Sequence, residues 1–157
     1  AGQAPSSAST SRVLADVPAG LPALTRAVKL QDKAARVGFD WPSLAPVMDK
    51  MREELAELEE VALAADPRAT SPQPEPDAAQ RTRIEEEYGD LLFVMANVAR
   101  HLKIDPEAAL RSANQKFLRR FSAVEEKLTQ RGSSPERSTL EEMDALWNEA
   151  KTEERKL

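Results

Sequence analysis

Two acidic pentapeptides constrain this chain more than any other feature: Glu53-Glu54-Leu55-Ala56-Glu57 and Glu86-Glu87-Tyr88-Gly89-Asp90. Both lie in stretches with helical period. Each residue turns a helix by about 100°, so with Glu53 at zero, Glu57 falls at about 40° and Glu54 at about 100°. Glu86, Asp90 and Glu87 repeat that pattern. Each helix therefore gathers three carboxylates into one sector. Beside them runs an apolar stripe: Val47, Met51, Leu55, Leu58 and Ala62 on the first helix, Ile84, Tyr88, Leu91 and Met95 on the second. Stripes that pack together would bring the acids to a shared seam.

Such a seam needs a cation. Two carboxylates ~5 Å apart at an effective dielectric of ~20 repel by roughly 3 kcal/mol. A hard divalent ion with oxygen ligands removes that cost, and Mg²⁺ usually shares its shell with substrate phosphates. The bland alternative is a pair of solvated Glu-rich faces, since Glu is a good surface helix former. The recurrence at matched angles beside matched stripes favours the metal seam.

The rest of the chain bounds the partners. At 157 residues it is expected to form one domain, with aromatics at only 4 %, so Leu, Ala, Val and Met must supply the packing. There is no cysteine, which suits a reducing cytoplasm. No apolar run is long enough to span a membrane, and no signal-peptide pattern opens the chain. A net charge of −5 without a basic block disfavours nucleic acid.

In chain order, residues 1–20 read as a disordered tail or linker, followed by one helical domain over 21–155. The first helix runs from Pro22 to about Val37, burying Leu24, Ala27, Val28, Ala34 and Ala35, and Gly38 stops it. Phe39 and Trp41 are expected to pack on the core. The first acidic helix ends near Ala65, and the proline-rich 66–82 stretch reads as a flexible loop. The second acidic helix runs from about Gln80 to Leu102. From Leu91 to Ala99 it is apolar on nearly every side, which predicts burial all round and a homodimer interface. Gly89 would permit close helix approach. Pro106 opens a fourth helix with the stripe Leu110, Ala113, Phe117, Phe121, Val124 and Leu128. Ser138 and Glu141 form a capping box for a fifth, with the stripe Leu140, Met143, Trp147 and Ala150. No strand pattern appears, so the class is all-α, a bundle of about five helices.

Phosphoryl-transfer chemistry suits these parts. The carboxylates would hold Mg²⁺ and one could accept a proton from water. Lys116, Arg120, Lys151 and Arg83 could meet phosphate oxygens. A di-iron site is disfavoured, because the one histidine, His101, has Val98 three residues before it.

Four stretches in order carry a family resemblance: Lys29-Leu30-Gln31-Asp32-Lys33-Ala34-Ala35-Arg36-Val37-Gly38-Phe39-Asp40-Trp41, the acidic pair, Gly89-Asp90-Leu91-Leu92-Phe93 through Asn97-Val98-Ala99-Arg100-His101-Leu102, and Asn114-Gln115-Lys116-Phe117-Leu118-Arg119-Arg120-Phe121. Over roughly 21–151 the chain resembles the MazG nucleoside triphosphate pyrophosphohydrolases of the all-α NTP pyrophosphatase superfamily. Leu14-Ala15-Asp16-Val17-Pro18 is similar to the link preceding the second domain of two-copy MazG proteins. The resemblance implies an intertwined helical homodimer. It also implies Mg²⁺-dependent hydrolysis of a nucleoside triphosphate between its α and β phosphates. By the family's motifs, Glu54, Glu57, Glu87 and Asp90 look like metal ligands, with Glu53 and Glu86 as further acids. Lys116, Arg120, Trp147 and Lys151 match positions around substrate; Arg83 stands where lysine is common. Alternatives are a house-cleaning enzyme narrow for one modified or deoxy nucleotide, and a non-catalytic nucleotide-binding module.

Overall fold

A computed structural model describes residues 12–64 and 75–155. These form five α-helices and one 3-10 turn, with no strand among them. The helices are α1 (Ala23–Ala35), α2 (Leu44–Ala64), α3 (Ala78–His101), α4 (Pro106–Gln130) and α5 (Leu140–Glu154), with the turn at Pro135–Arg137. The all-α expectation holds. The described residues divide into two compact units that part between Glu107 and Ala108.

In the first unit, α3 packs on both α1 and α2. Three helix ends close in the same way. After α1, the Phe39 amide donates to the Ala34 carbonyl at 3.1 Å and the Gly38 amide to Ala35 at 3.0 Å, with Gly38 at φ 87°. That is a Schellman closure, and the left-handed position explains the glycine. After α3, the Ile104 amide donates to Ala99 at 2.8 Å and the Lys103 amide to Arg100 at 3.0 Å. Here the left-handed residue is Lys103, at φ 56°. Gly132 closes α4 likewise at φ 70°.

Several expectations change. Residues 1–11 of the supposed tail lie outside the described residues. From Arg12 on the chain is placed: Val17 is buried, Asp16 pairs with Lys33, and the Pro18 carbonyl accepts from Arg26 Nε at 3.2 Å. An apolar anchor and an ion pair against α1 hold this stretch in place. Most of the proline-rich loop, 66–74, also lies outside. Its last residues, 78–82, are helical, because Asp77 caps α3 with a reciprocal Gln80 bond. A Cβ at Gly89 would meet nothing within 4 Å, so close approach among the described residues is not its role. Phe39 and Trp41 are exposed rather than packed on the core. Within one chain only Ala96 of residues 91–99 is buried, since α1 and α2 cover just part of α3's surface; the expected burial all round relies on a second copy.

The buried face of α1 includes a residue the apolar pattern passed over. Gln31 is buried beside Ala27, and its Nε2 donates to the Phe93 carbonyl at 2.9 Å, tying α1 to α3. Arg100 on α3 adds a polar tie. It bonds Asn97 Oδ1 at 2.9 Å, pairs closely with Asp40 after α1, and lies 3.8 Å from Asp32. That guanidinium, as chief cause, holds the Asp40 carboxyl below its ordinary range.

In the second unit, Val124 and Leu128 of α4 pack with Leu146 of α5, and Met143 and Trp147 lie against them. Leu110, Ala113 and Phe117, in the first half of the expected α4 stripe, are exposed instead. The α5 cap is Thr139 with Glu142, one residue on from the expected Ser138 and Glu141. Both pairs have capping-box spacing. Ser138 is taken up by the preceding turn, where its hydroxyl donates to the Ser134 carbonyl at 2.9 Å.

Candidate metal centre and basic residues

The acids meet, but the seam is turned by about one residue from the expected one. On α2 the positions turned inward are Val47, Met51, Glu54 and Leu58, spaced four, three and four residues apart. Glu54 is only 5 % exposed, whereas the neighbouring Leu55 is 43 % exposed. On α3, Ile84, Glu87 and Leu91 are half-buried, whereas Tyr88 is 54 % and Met95 49 % exposed. Carboxylates thus occupy positions that amphipathicity assigned to apolar side chains. Leu55, Tyr88 and Met95 are left facing outward.

One oxygen each from Glu54, Glu87 and Asp90 lies within 4.8 Å of the others. Around an octahedral ion bonded at ~2.1 Å, adjacent ligand oxygens lie ~3.0 Å apart and opposite ones ~4.2 Å, so the three must draw together to grip it. The donors are all hard oxygens, the kind that Mg²⁺ takes. Glu57 is exposed and outside this triad, but close enough to feel it. Partial desolvation, then the charges of Glu54 and Glu87, push its carboxyl above the ordinary range. Glu53 is exposed on the rim. Glu86 is exposed and belongs to no such group among the described residues. Arg83 is exposed and makes no ion pair among the described residues.

Sequence reasoning missed Lys50. Its Nζ lies 2.6 Å from Glu54 Oε1 and 2.8 Å from Glu53 Oε1. Bonding to Glu53 and Glu54 raises its proton affinity well above that of a free lysine. The signal was available: a lysine three and four residues before two glutamates sits on their helix face.

In the second unit, Arg120 Nε donates to Glu154 Oε2 at 2.8 Å, and its guanidinium lies 5.8 Å from the centre of the Trp147 ring. Phe117 packs against Trp147 at 5.3 Å between ring centres and stacks on Phe121 at 6.0 Å. Arg120 holds Glu154 below the ordinary carboxylate range. Lys116 is exposed and Lys151 half-buried; neither makes an ion pair among the described residues. Arg120 and Trp147 are thus brought together.

No family model matches the chain. It is 43 % identical over 141 residues to a nucleoside triphosphate pyrophosphohydrolase of Escherichia coli K12, covering 90 % of this chain and 49 % of that protein. It is 41 % identical over 131 residues to the Thermotoga maritima nucleoside triphosphate pyrophosphohydrolase/pyrophosphatase MazG, covering 83 % and 45 %. An uncharacterized Bacillus subtilis protein, YabN, is 48 % identical over 80 residues, covering 51 % and 16 %. The chain spans about half the length of the first two relatives.

Proposed function

We propose that this chain, homologous over nine tenths of its length to a nucleoside triphosphate pyrophosphohydrolase, carries that activity itself. It would hydrolyse nucleoside triphosphates to monophosphate and pyrophosphate with Mg²⁺. The observation that carries this reading is the Glu54, Glu87 and Asp90 triad, three carboxylate oxygens within 4.8 Å across two helices. Bound there, Mg²⁺ would neutralise phosphate oxygens and make a nearby water more acidic. The protein's own residues supply the rest. Glu54, Glu87 and Asp90, with Glu57 beside them, hold the ion, and a carboxylate of this set accepts the proton of the attacking water. Glu53 and Glu86 add negative charge at the rim. Arg83 offers a cation for phosphate oxygens. In the second unit, Lys116, Arg120 and Lys151 are the cations, and Trp147 the ring face, that the family resemblance assigns to substrate.

We further propose that two copies pair. Leu55, Tyr88 and Met95 lie exposed beside the acids, and a single chain leaves α3 incompletely covered. The test of function is release of pyrophosphate and monophosphate from a panel of ribo- and deoxyribonucleoside triphosphates, with and without Mg²⁺. Release that needs Mg²⁺ is expected. A panel in which no triphosphate yields pyrophosphate rejects the reading.

A further inference from the structure

We propose that Lys50 is the counter-ion built into the carboxylate triad, and that a divalent ion must displace it to bind. The inference rests on the triad being a metal site. Glu54 is 5 % exposed, and a carboxylate so deeply placed carries a charge that needs a partner. Its partner is the Lys50 ammonium, 2.6 Å away. Among the described residues no other lysine or arginine lies within ion-pair distance of Glu54, Glu87 or Asp90. The same ammonium bonds Glu53 Oε1 at 2.8 Å, on the exposed rim.

This fork has a consequence for binding. An ion that takes the Glu54 oxygen held by Lys50 would stand within about 5 Å of the ammonium, and two positive groups that close repel. On this proposal Lys50 lets go of Glu54 when the ion enters. Glu53 gives it somewhere to go. The long Lys50 side chain is 34 % exposed, so it can stay on Glu53 at the rim while Glu54 turns to the metal. Glu53 thus acts as a parking position for the displaced ammonium, a role distinct from metal ligation. Without metal, Lys50 would stabilise the site, and part of the metal's binding energy would go into displacing it.

The test measures binding rather than turnover. Mn²⁺ is titrated into the full chain without nucleotide, and free Mn²⁺ is read by electron paramagnetic resonance. Lys50→Met is expected to bind Mn²⁺ at least about tenfold more tightly than wild type. Arg52→Met removes an exposed α2 cation paired with Asp49, and is expected to change affinity less than twofold. Asp90→Asn locates the ion by weakening binding. In thermal melts, Lys50→Met is expected to be less stable than wild type without metal and to gain more from added Mg²⁺. Lys50→Gln repeats both measurements if the methionine variant folds poorly. If wild type binds Mn²⁺ at the triad and neither Lys50 variant binds more tightly, the displacement is overturned and the metal site stands. If neither wild type nor the Lys50 variants bind Mn²⁺, the metal site falls and the displacement with it.

Discussion

Glu54 of α2 and Glu87 of α3 bring carboxylate oxygens within 4.8 Å of each other, although each has an apolar neighbour, Leu55 or Tyr88, that could have taken the inward position. Facing acids destabilise a helix pair, so this arrangement trades stability for a binding site. Glu87→Gln and Asp90→Asn should relieve that repulsion. Each is expected to raise stability without metal by about 1 kcal/mol. Each should also lose most of the Mg²⁺-induced rise in melting temperature, and lower kcat by at least about a hundredfold. Thermal melts with and without Mg²⁺, beside a pyrophosphate-release assay, check all three. A variant with full activity would remove its residue from the ligand set.

The outward turn of Leu55, Tyr88 and Met95 leads to a second prediction. If α3 is covered by a second copy, a charge placed on this face has to be desolvated when the copies pair. Met95→Glu is therefore expected to weaken self-association by at least about a hundredfold, with helical circular dichroism unchanged. Sedimentation velocity across a concentration series reads it. A wild-type chain that sediments as a monomer throughout would end the dimer proposal.

Much of this was legible in the chain, and the exceptions share a cause. Helical period located all five helices, and matched angles picked six acids, of which Glu54, Glu87 and Asp90 meet. The rotation of the seam was not legible. Glu54 and Leu55 are adjacent, and a rule that puts apolar residues inside selects Leu55. That rule assumes water outside and no ligand inside. Gln31 escaped for the same reason, being a polar residue buried by one bond to Phe93. The α5 cap was ambiguous by one residue because Ser138 and Thr139 each have a glutamate three positions on. Lys50 was readable from its spacing, since it precedes Glu53 and Glu54 by about one helical turn.

The closure of α3 offers a change that should stabilise the fold. Lys103 holds φ 56°, in a role that Gly38 and Gly132 fill elsewhere in the chain. A left-handed conformation costs a residue with a Cβ about 1 kcal/mol, and glycine avoids this while losing part of the gain to a more flexible unfolded chain. Lys103→Gly is expected to stabilise by up to about 1 kcal/mol, seen as a higher urea midpoint at unchanged m-value. A lower midpoint would mean that the lysine side chain contributes more than the backbone strain removes.

Asp40 gives a pH dependence whose sign follows from its neighbour. The Arg100 guanidinium holds its carboxyl below the ordinary value of 3.8 in the folded chain, while the unfolded chain lacks that partner. A depressed folded pKa means that the unfolded state takes up its proton first as pH falls. The contribution is full at pH values above 3.8 and is lost as pH falls through the folded value. Asp40→Asn keeps the shape, removes the charge and leaves Arg100 with Asp32 at 3.8 Å and Asn97 at 2.9 Å. The variant should be less stable than wild type by about 1 kcal/mol at neutral pH, with the gap closing below the folded pKa. Urea melts of both proteins at pH 7, 5, 4 and about 2.5 measure this. A gap that stays constant down to the lowest pH would show that the pair between α3 and the turn after α1 owes its strength to packing rather than charge.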